Sequence, residues 1–167
     1  MHRVFAFLPH RSFVIAASAL WVISISLWGR VAAQSRPVEF VNTLRGSASK
    51  PEYSRGNTFP AVTVPFGFNF WTPITEPNSS SWLYRYDRNT LQGFGVSHEP
   101  SPWVGDHGSI QIMPEVGNLQ VAADARGATF RHSEEIAQPH YYAVTLDSSS
   151  IRVELTPTDH ASRFRFT

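Results

Sequence analysis

The chain has 167 residues, a formal net charge of +1 and no cysteine. This length suits about one domain, and the lack of cysteine excludes disulfides, thiolate metal sites and a cysteine nucleophile. Lys50 is the only lysine, and no basic run follows the first residues, so the chain lacks the basic surface of a nucleic-acid-binding protein and no nucleic-acid partner is expected.

The first 33 residues have the layout of a secretion signal. Basic residues precede residues 12–28, an uncharged apolar run, and small residues at Val31 and Ala33 follow it. This layout predicts cleavage after Ala33 and a secreted or periplasmic product. A retained membrane anchor over residues 12–28 is the alternative, because the run is at the short edge of what spans a bilayer. Residues 34–39 are then a linker, and residues 40–167 form the domain.

Two segments combine glycine, proline and aromatic residues. The first is residues 56–67, Gly-Asn-Thr-Phe-Pro-Ala-Val-Thr-Val-Pro-Phe-Gly, and the second runs from Gly93 to Gly108. Glycine lets the backbone bend or approach a ligand closely, and proline stiffens the loop. Stiff loops that carry rings and short polar side chains are typical of a sugar site, and they also occur as plain corners of a β-fold.

Alternation with a period of two residues dominates the second half of the chain. Apolar residues alternate with polar ones at Ile110 and Ile112, Leu119 and Val121, Tyr142 to Leu146, Ile151 to Leu155, and Phe164 and Phe166. Short polar loops such as residues 147–150 separate these runs, and no segment of helical length with a 3.6-residue period follows the signal. The pattern predicts an all-β fold, an antiparallel β-sandwich with one wet face. Alternation still runs at Thr167, which predicts an incomplete sandwich at the C-terminus.

The second glycine-rich segment offers a candidate sugar-binding loop. His98 and Asp106 are predicted to bond sugar hydroxyls, and Trp103 to stack on a pyranose face. The alternative is a proline-stiffened turn that Asp106 and Gly108 simply close.

A second candidate lies in the aromatic and polar run of residues 81–87. Arg85 is predicted to bond sugar hydroxyls and Trp82 to stack. The alternative is a strand with Leu83 toward the core and Arg85 paired with Asp87.

The acidic residues do not define a catalytic pair or a metal site. Glycoside hydrolysis needs two carboxyl groups on either side of the scissile bond, and no spacing here singles out such a pair. His132, Glu134 and Glu135 fit no standard zinc pattern, so a solvated surface is favoured over a metal site. No catalytic residue and no metal ligand is assigned.

Four motifs, in this order, resemble the N-terminal domain of glycoside hydrolase family 92, the calcium-dependent exo-acting α-mannosidases. They cover roughly residues 40–167 and stand at residues 57–67, at Gly93 to His98 with Gly105-Asp106-His107-Gly108, at Phe130 to Leu146, and at Val153-Glu154-Leu155-Thr156. The chain departs from the family where Glu99-Pro100-Ser101-Pro102-Trp103 replaces a His-Leu-Ser-Gly segment, which puts α-1,2 linkage specificity in doubt.

The resemblance implies a β-sandwich of the supersandwich type, followed in complete proteins by an (α/α)6-barrel domain. The barrel would supply the acid, the base and most calcium ligands, so this chain alone is expected to be inactive. Its implied role is one wall of a pocket for the terminal mannose of a glycan. The expected contact residues are Thr58, Phe59, Trp82, Arg85, His98, Trp103 and Asp106. A stand-alone carbohydrate-binding module and a nonfunctional remnant are the alternatives.

Overall fold

The computed structural model describes residues 36–48, 58–76, 83–98 and 110–167. The predicted signal segment and the predicted contact residues Trp82, Trp103 and Asp106 lie outside these ranges. Among the residues that are described, no helix is long and apolar enough to cross a membrane.

The fold is an all-β antiparallel sandwich, as the alternation predicts. Its strands are β1 (Phe70–Ile74), β2 (Thr90–Leu91), β3 (Gly93–Ser97), β4 (Ile110–Ile112), β5 (Ala128–Thr129), β6 (Ile136–Gln138), β7 (Tyr141–Leu146), β8 (Ile151–Pro157) and β9 (Ser162–Phe166). The helices of the described ranges are short: η1 (Pro37–Phe40), α1 (Ala123–Arg126) and η2 (His132–Glu134). The strands form sheets with the orders β1-β3-β4, β2-β5 and β6-β7-β8-β9.

The four-stranded sheet is a meander of consecutive strands. Every second side chain of a strand points to the same face of the sheet. In β7, Tyr142, Val144 and Leu146 point inward and have no exposed surface. Val144 pairs with Val153 of β8, which is equally buried. Ser150 takes a left-handed conformation with φ of 57° in the turn between these strands. The predicted strands at residues 142–146 and 151–155 and the loop between them are therefore confirmed.

The three-stranded sheet covers the inner face of the meander. Phe94 of β3 is fully buried, and its ring meets those of Tyr142 and Phe164 edge to face at 6.0 and 6.1 Å. Trp71 of β1 meets Phe164 at 5.3 Å in the same manner. These rings fill the space between the two sheets, since edge-to-face pairs are favourable at such centroid distances.

The strand predicted at Leu119 and Val121 is wrong. Both side chains are 79% exposed, and no described strand includes them. Gly117 turns the chain with φ of 88°, and the carboxylate of Glu115 accepts a hydrogen bond from the Gln120 backbone at 2.8 Å. The alternating residues Leu119 and Val121 therefore follow a local turn. They do not form a strand, because no described strand pairs with them.

Gly93→Ala should destabilise the domain by more than Gly117→Ala, because both substitutions carry backbone strain of roughly 1–3 kcal/mol and only the Cβ at residue 93 also clashes with its neighbours. Gly93 has φ of +148°, and a Cβ there would lie 2.7 Å from Gln111 Nε2 and 2.9 Å from the Ile112 carbonyl. Urea denaturation of both proteins measures the loss. Gly117→Ala is the matched control, since its φ is +88° but nothing lies within 4 Å of the added Cβ. Equal losses in the two variants would contradict the steric argument.

Candidate functional site

A groove of about 410 Å³ lies beside the loop that follows η1. We call it the Tyr86 groove, and it is lined by Asn42, Leu44, Gly46, Ala48 and Tyr86. Its loop is held locally, because Asn42 Oδ1 accepts a hydrogen bond from the Leu44 backbone at 3.0 Å. The Ser47 carbonyl accepts another from the Tyr86 backbone at 3.2 Å, which fixes the loop to the opposite wall.

Gly46 brings the first glycine-rich motif to this groove. It has φ of +84°, and a Cβ on it would lie 3.0 Å from Thr58 Oγ1. Only glycine satisfies both the left-handed conformation and the close approach without strain. Thr58 therefore lies against the loop that lines the Tyr86 groove.

A buried carboxylate lies behind Tyr86. We call Tyr84, His132, Glu135 and Tyr142 the Glu135 cluster. The Glu135 side chain has no exposed surface. Its Oε1 accepts hydrogen bonds from the Tyr142 hydroxyl at 2.6 Å and the Tyr84 hydroxyl at 2.9 Å, and its Oε2 lies 2.6 Å from His132 Nδ1. A buried carboxylate is tolerated when its oxygens are bonded in this way.

His132 connects this carboxylate to the groove. Its Nε2 donates to the Arg88 carbonyl at 3.0 Å, because a carbonyl oxygen only accepts. Its Nδ1 lies 2.6 Å from Glu135 Oε2, so both ring nitrogens have a hydrogen-bond partner. The imidazole stacks on the Tyr86 ring with a centroid distance of 4.1 Å and an interplanar angle of 23°. Phe130 meets the imidazole edge to face at 4.8 Å.

The two tyrosines of the cluster remain protonated donors. Burial raises the pKa of Tyr84 and of Tyr142 well above the usual value, and the nearby Glu135 charge raises both further. A neutral hydroxyl is the form that donates to a carboxylate, so Tyr84 and Tyr142 remain hydrogen-bond donors to Glu135.

The structure brings three of the predicted contact residues to one end of the β1–β3 pair. Thr58 is exposed and Phe59 half-buried beside the Gly46 loop. The Arg85 backbone donates to Thr75 Oγ1 at 2.9 Å, just beyond β1. The Arg85 guanidinium is bidentate to Asp87 at 3.1 and 2.9 Å, the pairing foreseen as the alternative to sugar contact.

His98 lies at the other end of the same strands. It follows Ser97, which pairs with Phe70 at the start of β1, and its ring stacks on Phe68 at 5.2 Å. The four steps from Phe70 to Ile74 span about 13 Å of strand. His98 therefore does not share an end with Thr58, Phe59 and Arg85. Trp82, Trp103 and Asp106 are not among the described residues.

Sequence reasoning missed the roles of Tyr86 and of the Glu135 cluster. The sequence pattern favours a solvated surface over a metal site for His132, Glu134 and Glu135, and this prediction is wrong for Glu135 because its side chain is buried. The hydrogen bond from Tyr84 to Glu135 crosses 51 residues of sequence. No local pattern signals a contact of that kind.

The described residues do not fit a calcium site. No group of three or more acidic or histidine side chains converges within them. The oxygens of Glu135 face hydroxyl and imidazole donors, which is an arrangement for hydrogen bonds and not for metal coordination.

A larger groove of about 690 Å³ lies near η1 and the β6–β7 turn. Phe66 stands on its rim, fully exposed, with φ of 63° in a turn closed by the Gly67 backbone bond to the Val64 carbonyl at 2.9 Å. Its lining is mostly apolar, from Val38, Val64, Pro65, Phe70 and Pro139 among others. Hydrogen-bonding groups for a sugar are few there, so the Tyr86 groove is the better candidate.

The molecule is thus an antiparallel β-sandwich domain with an aromatic and polar groove at one end. Residues 40–167 match the glycosyl hydrolase family 92 N-terminal domain. The chain belongs to this family, and the resemblance drawn from its motifs is confirmed.

Solved structures of family members have the same fold. An inverting mannosidase of family GH92 from Bacteroides thetaiotaomicron VPI-5482 is 38% identical, with a TM-score of 0.71 over 80% of this chain and 18% of that one. An α-mannosidase of the same family from Bacteroides thetaiotaomicron is 24% identical, with a TM-score of 0.62 over 78% of this chain and 18% of that one. No curated protein sequence matches the chain significantly. The chain thus spans about a fifth of the length of these enzymes.

Proposed function

We propose that this chain forms one wall of a mannose-binding pocket in an exported, α-mannosidase-like hydrolase of family 92. The match of residues 40–167 to the family's N-terminal domain carries the proposal. The 38% identical structure is that of an inverting mannosidase, which supports mannose as the sugar.

The geometry supports a binding role at the Tyr86 groove. Small-molecule sites are concave, with apolar and aromatic walls and a few placed polar groups. Leu44 and Tyr86 supply such walls, while Asn42 and the nearby Thr58 supply polar groups. Loops on a rigid sandwich are a common place for such a site.

Hydrolysis itself belongs, in this proposal, to a barrel domain of a longer protein. That domain would hold calcium and the two carboxyl groups, which an inverting enzyme places about 6.5–9.5 Å apart. Glu135 does not serve as one of the pair, because its side chain is buried and bonded to Tyr84, Tyr142 and His132. Export would follow cleavage after Ala33.

The purified full chain should bind methyl α-D-mannoside weakly, with a Kd on the order of 1 mM, and should not hydrolyse an aryl α-mannoside with or without calcium. Saturation-transfer NMR measures binding, and release of the aryl group measures turnover. Methyl β-D-galactoside is the control sugar. Equal signals from the two sugars, or no signal from the mannoside, would contradict mannose recognition. Reproducible turnover, abolished by mutation of an acid in this chain, would contradict the assignment of hydrolysis elsewhere.

A further inference from the structure

We propose that Tyr86 is the stacking platform for the sugar, and that His132 is a positioning residue that holds its ring in place. The inference rests on the proposed function and adds the side chain that would recognise the apolar face of a hexopyranose.

The Tyr86 ring is covered on one face by another ring, and the residue is still exposed toward the groove. His132 covers one face at 4.1 Å, yet Tyr86 remains 39% exposed and lines the groove. A flat aromatic ring of this kind packs against the C–H face of a pyranose. The hydroxyls of the sugar would then lie near the polar groups of the groove. The groove volume of about 410 Å³ lies within the range of about 300–1,000 Å³ that is usual for small-molecule sites.

The Tyr86 ring is held by a chain of fixed groups. Its backbone is bonded to Ser47, and the imidazole stacked on it is fixed at both nitrogens, by Glu135 and by the Arg88 carbonyl. Glu135 is in turn fixed by two buried hydroxyls. A platform that is already ordered loses little conformational entropy when a ligand binds, which favours binding to it.

The mannoside affinity of Tyr86 variants of the full chain tests the platform. Tyr86→Phe keeps the flat ring and should change the Kd for methyl α-D-mannoside by less than about threefold. Tyr86→Leu and Tyr86→Ala remove it and should weaken binding by about tenfold or more, as for a lost apolar contact in a pocket. Phe166→Ala is the control, since Phe166 is 45% exposed on β9 and remote in sequence from the groove. Melting temperatures of all variants show that each is folded.

A double-mutant cycle tests the positioning role of His132. His132→Ala should weaken mannoside binding in the wild-type background and have little further effect in the Tyr86→Ala background, because contacting residues couple. When the Tyr86 ring protons are saturated, less magnetisation should reach the sugar in His132→Ala than in the wild-type chain. A merely structural role would lower the melting temperature and leave that transfer unchanged in the folded fraction. Equal losses in the two backgrounds would overturn the positioning role.

The outcomes separate the two proposals. Mannoside binding that persists equally in wild type, Tyr86→Leu and Tyr86→Ala would overturn the platform and leave the mannose-binding function standing. An absence of mannoside binding in the wild-type chain would overturn both. Loss of binding in Tyr86→Phe as well as Tyr86→Leu would also overturn the stacking role, because it would assign recognition to the hydroxyl.

Discussion

Glu135→Ala should destabilise the domain by roughly 3–5 kcal/mol, the range seen when one partner of a buried charged network is removed. The substitution deletes the acceptor of the Tyr84 and Tyr142 hydroxyls and leaves His132 Nδ1 without its partner. Each buried group left without a hydrogen bond costs about 1–3 kcal/mol. Urea denaturation followed by far-UV circular dichroism measures the change.

The neighbouring Glu134 provides a matched control for this experiment. Its carboxylate pairs with Arg131 at 2.8 Å, and both side chains are more than a third exposed. Exposed pairs contribute about 0.2–1 kcal/mol, so Glu134→Ala should have a much smaller effect. Similar losses for Glu134→Ala and Glu135→Ala would show that the Glu135 cluster does not stabilise the fold.

Phe94→Ala should cost roughly 3–5 kcal/mol, the range for truncating a buried phenylalanine. Phe94 has no exposed surface and meets both Tyr142 and Phe164 from the opposite sheet. Alanine would leave a cavity between the sheets, because the two backbones are fixed by their strand pairing. Chemical denaturation of the wild-type chain and of Phe94→Ala measures the change in the free energy of unfolding.

Phe40 serves as the control for Phe94. It lies in η1 with 77% of its surface exposed, so Phe40→Ala should change stability by less than about 0.5 kcal/mol. A loss below about 1 kcal/mol in Phe94→Ala would mean that the sheets close over the cavity, contrary to the rigid packing expected of a protein core.

The meander was predictable because its signal is local. In β8 and in most of β7 the buried residues alternate with partly exposed ones, so sequence alternation indicates the buried face, although Ala143 is buried as well. The same reasoning failed at Leu119 and Val121, where alternation exists without a partner strand. Pairing is a property of two segments, and a single segment does not reveal it.

The candidate site was predictable only in part. The order of motifs predicted the family and drew on the segment that holds Thr58 and Phe59, while the aromatic and polar run of residues 81–87 indicated Arg85. The fold places these three residues near the Tyr86 groove. The sequence predicts His98 as a contact residue of the same site, because its motif has a similar composition. The antiparallel pairing of β1 and β3 places it at the other end of these two strands. The Glu135 cluster was missed because its members meet only through the tertiary fold.

The topology of the Glu135 cluster also bears on the order in which the domain assembles. The meander from β6 to β9 needs only connections between consecutive strands, whereas the bonds of Glu135 to Tyr84 and of His132 to Arg88 close 51 and 44 residues of chain. Long-range closures cost more entropy and form more slowly than local hairpins. We therefore expect the meander to form first and the Tyr86 groove to be completed late. Backbone amides at Tyr86 should then gain protection from hydrogen exchange during refolding after those of Val144, and a chain arrested between these steps would have the four-stranded sheet but no groove.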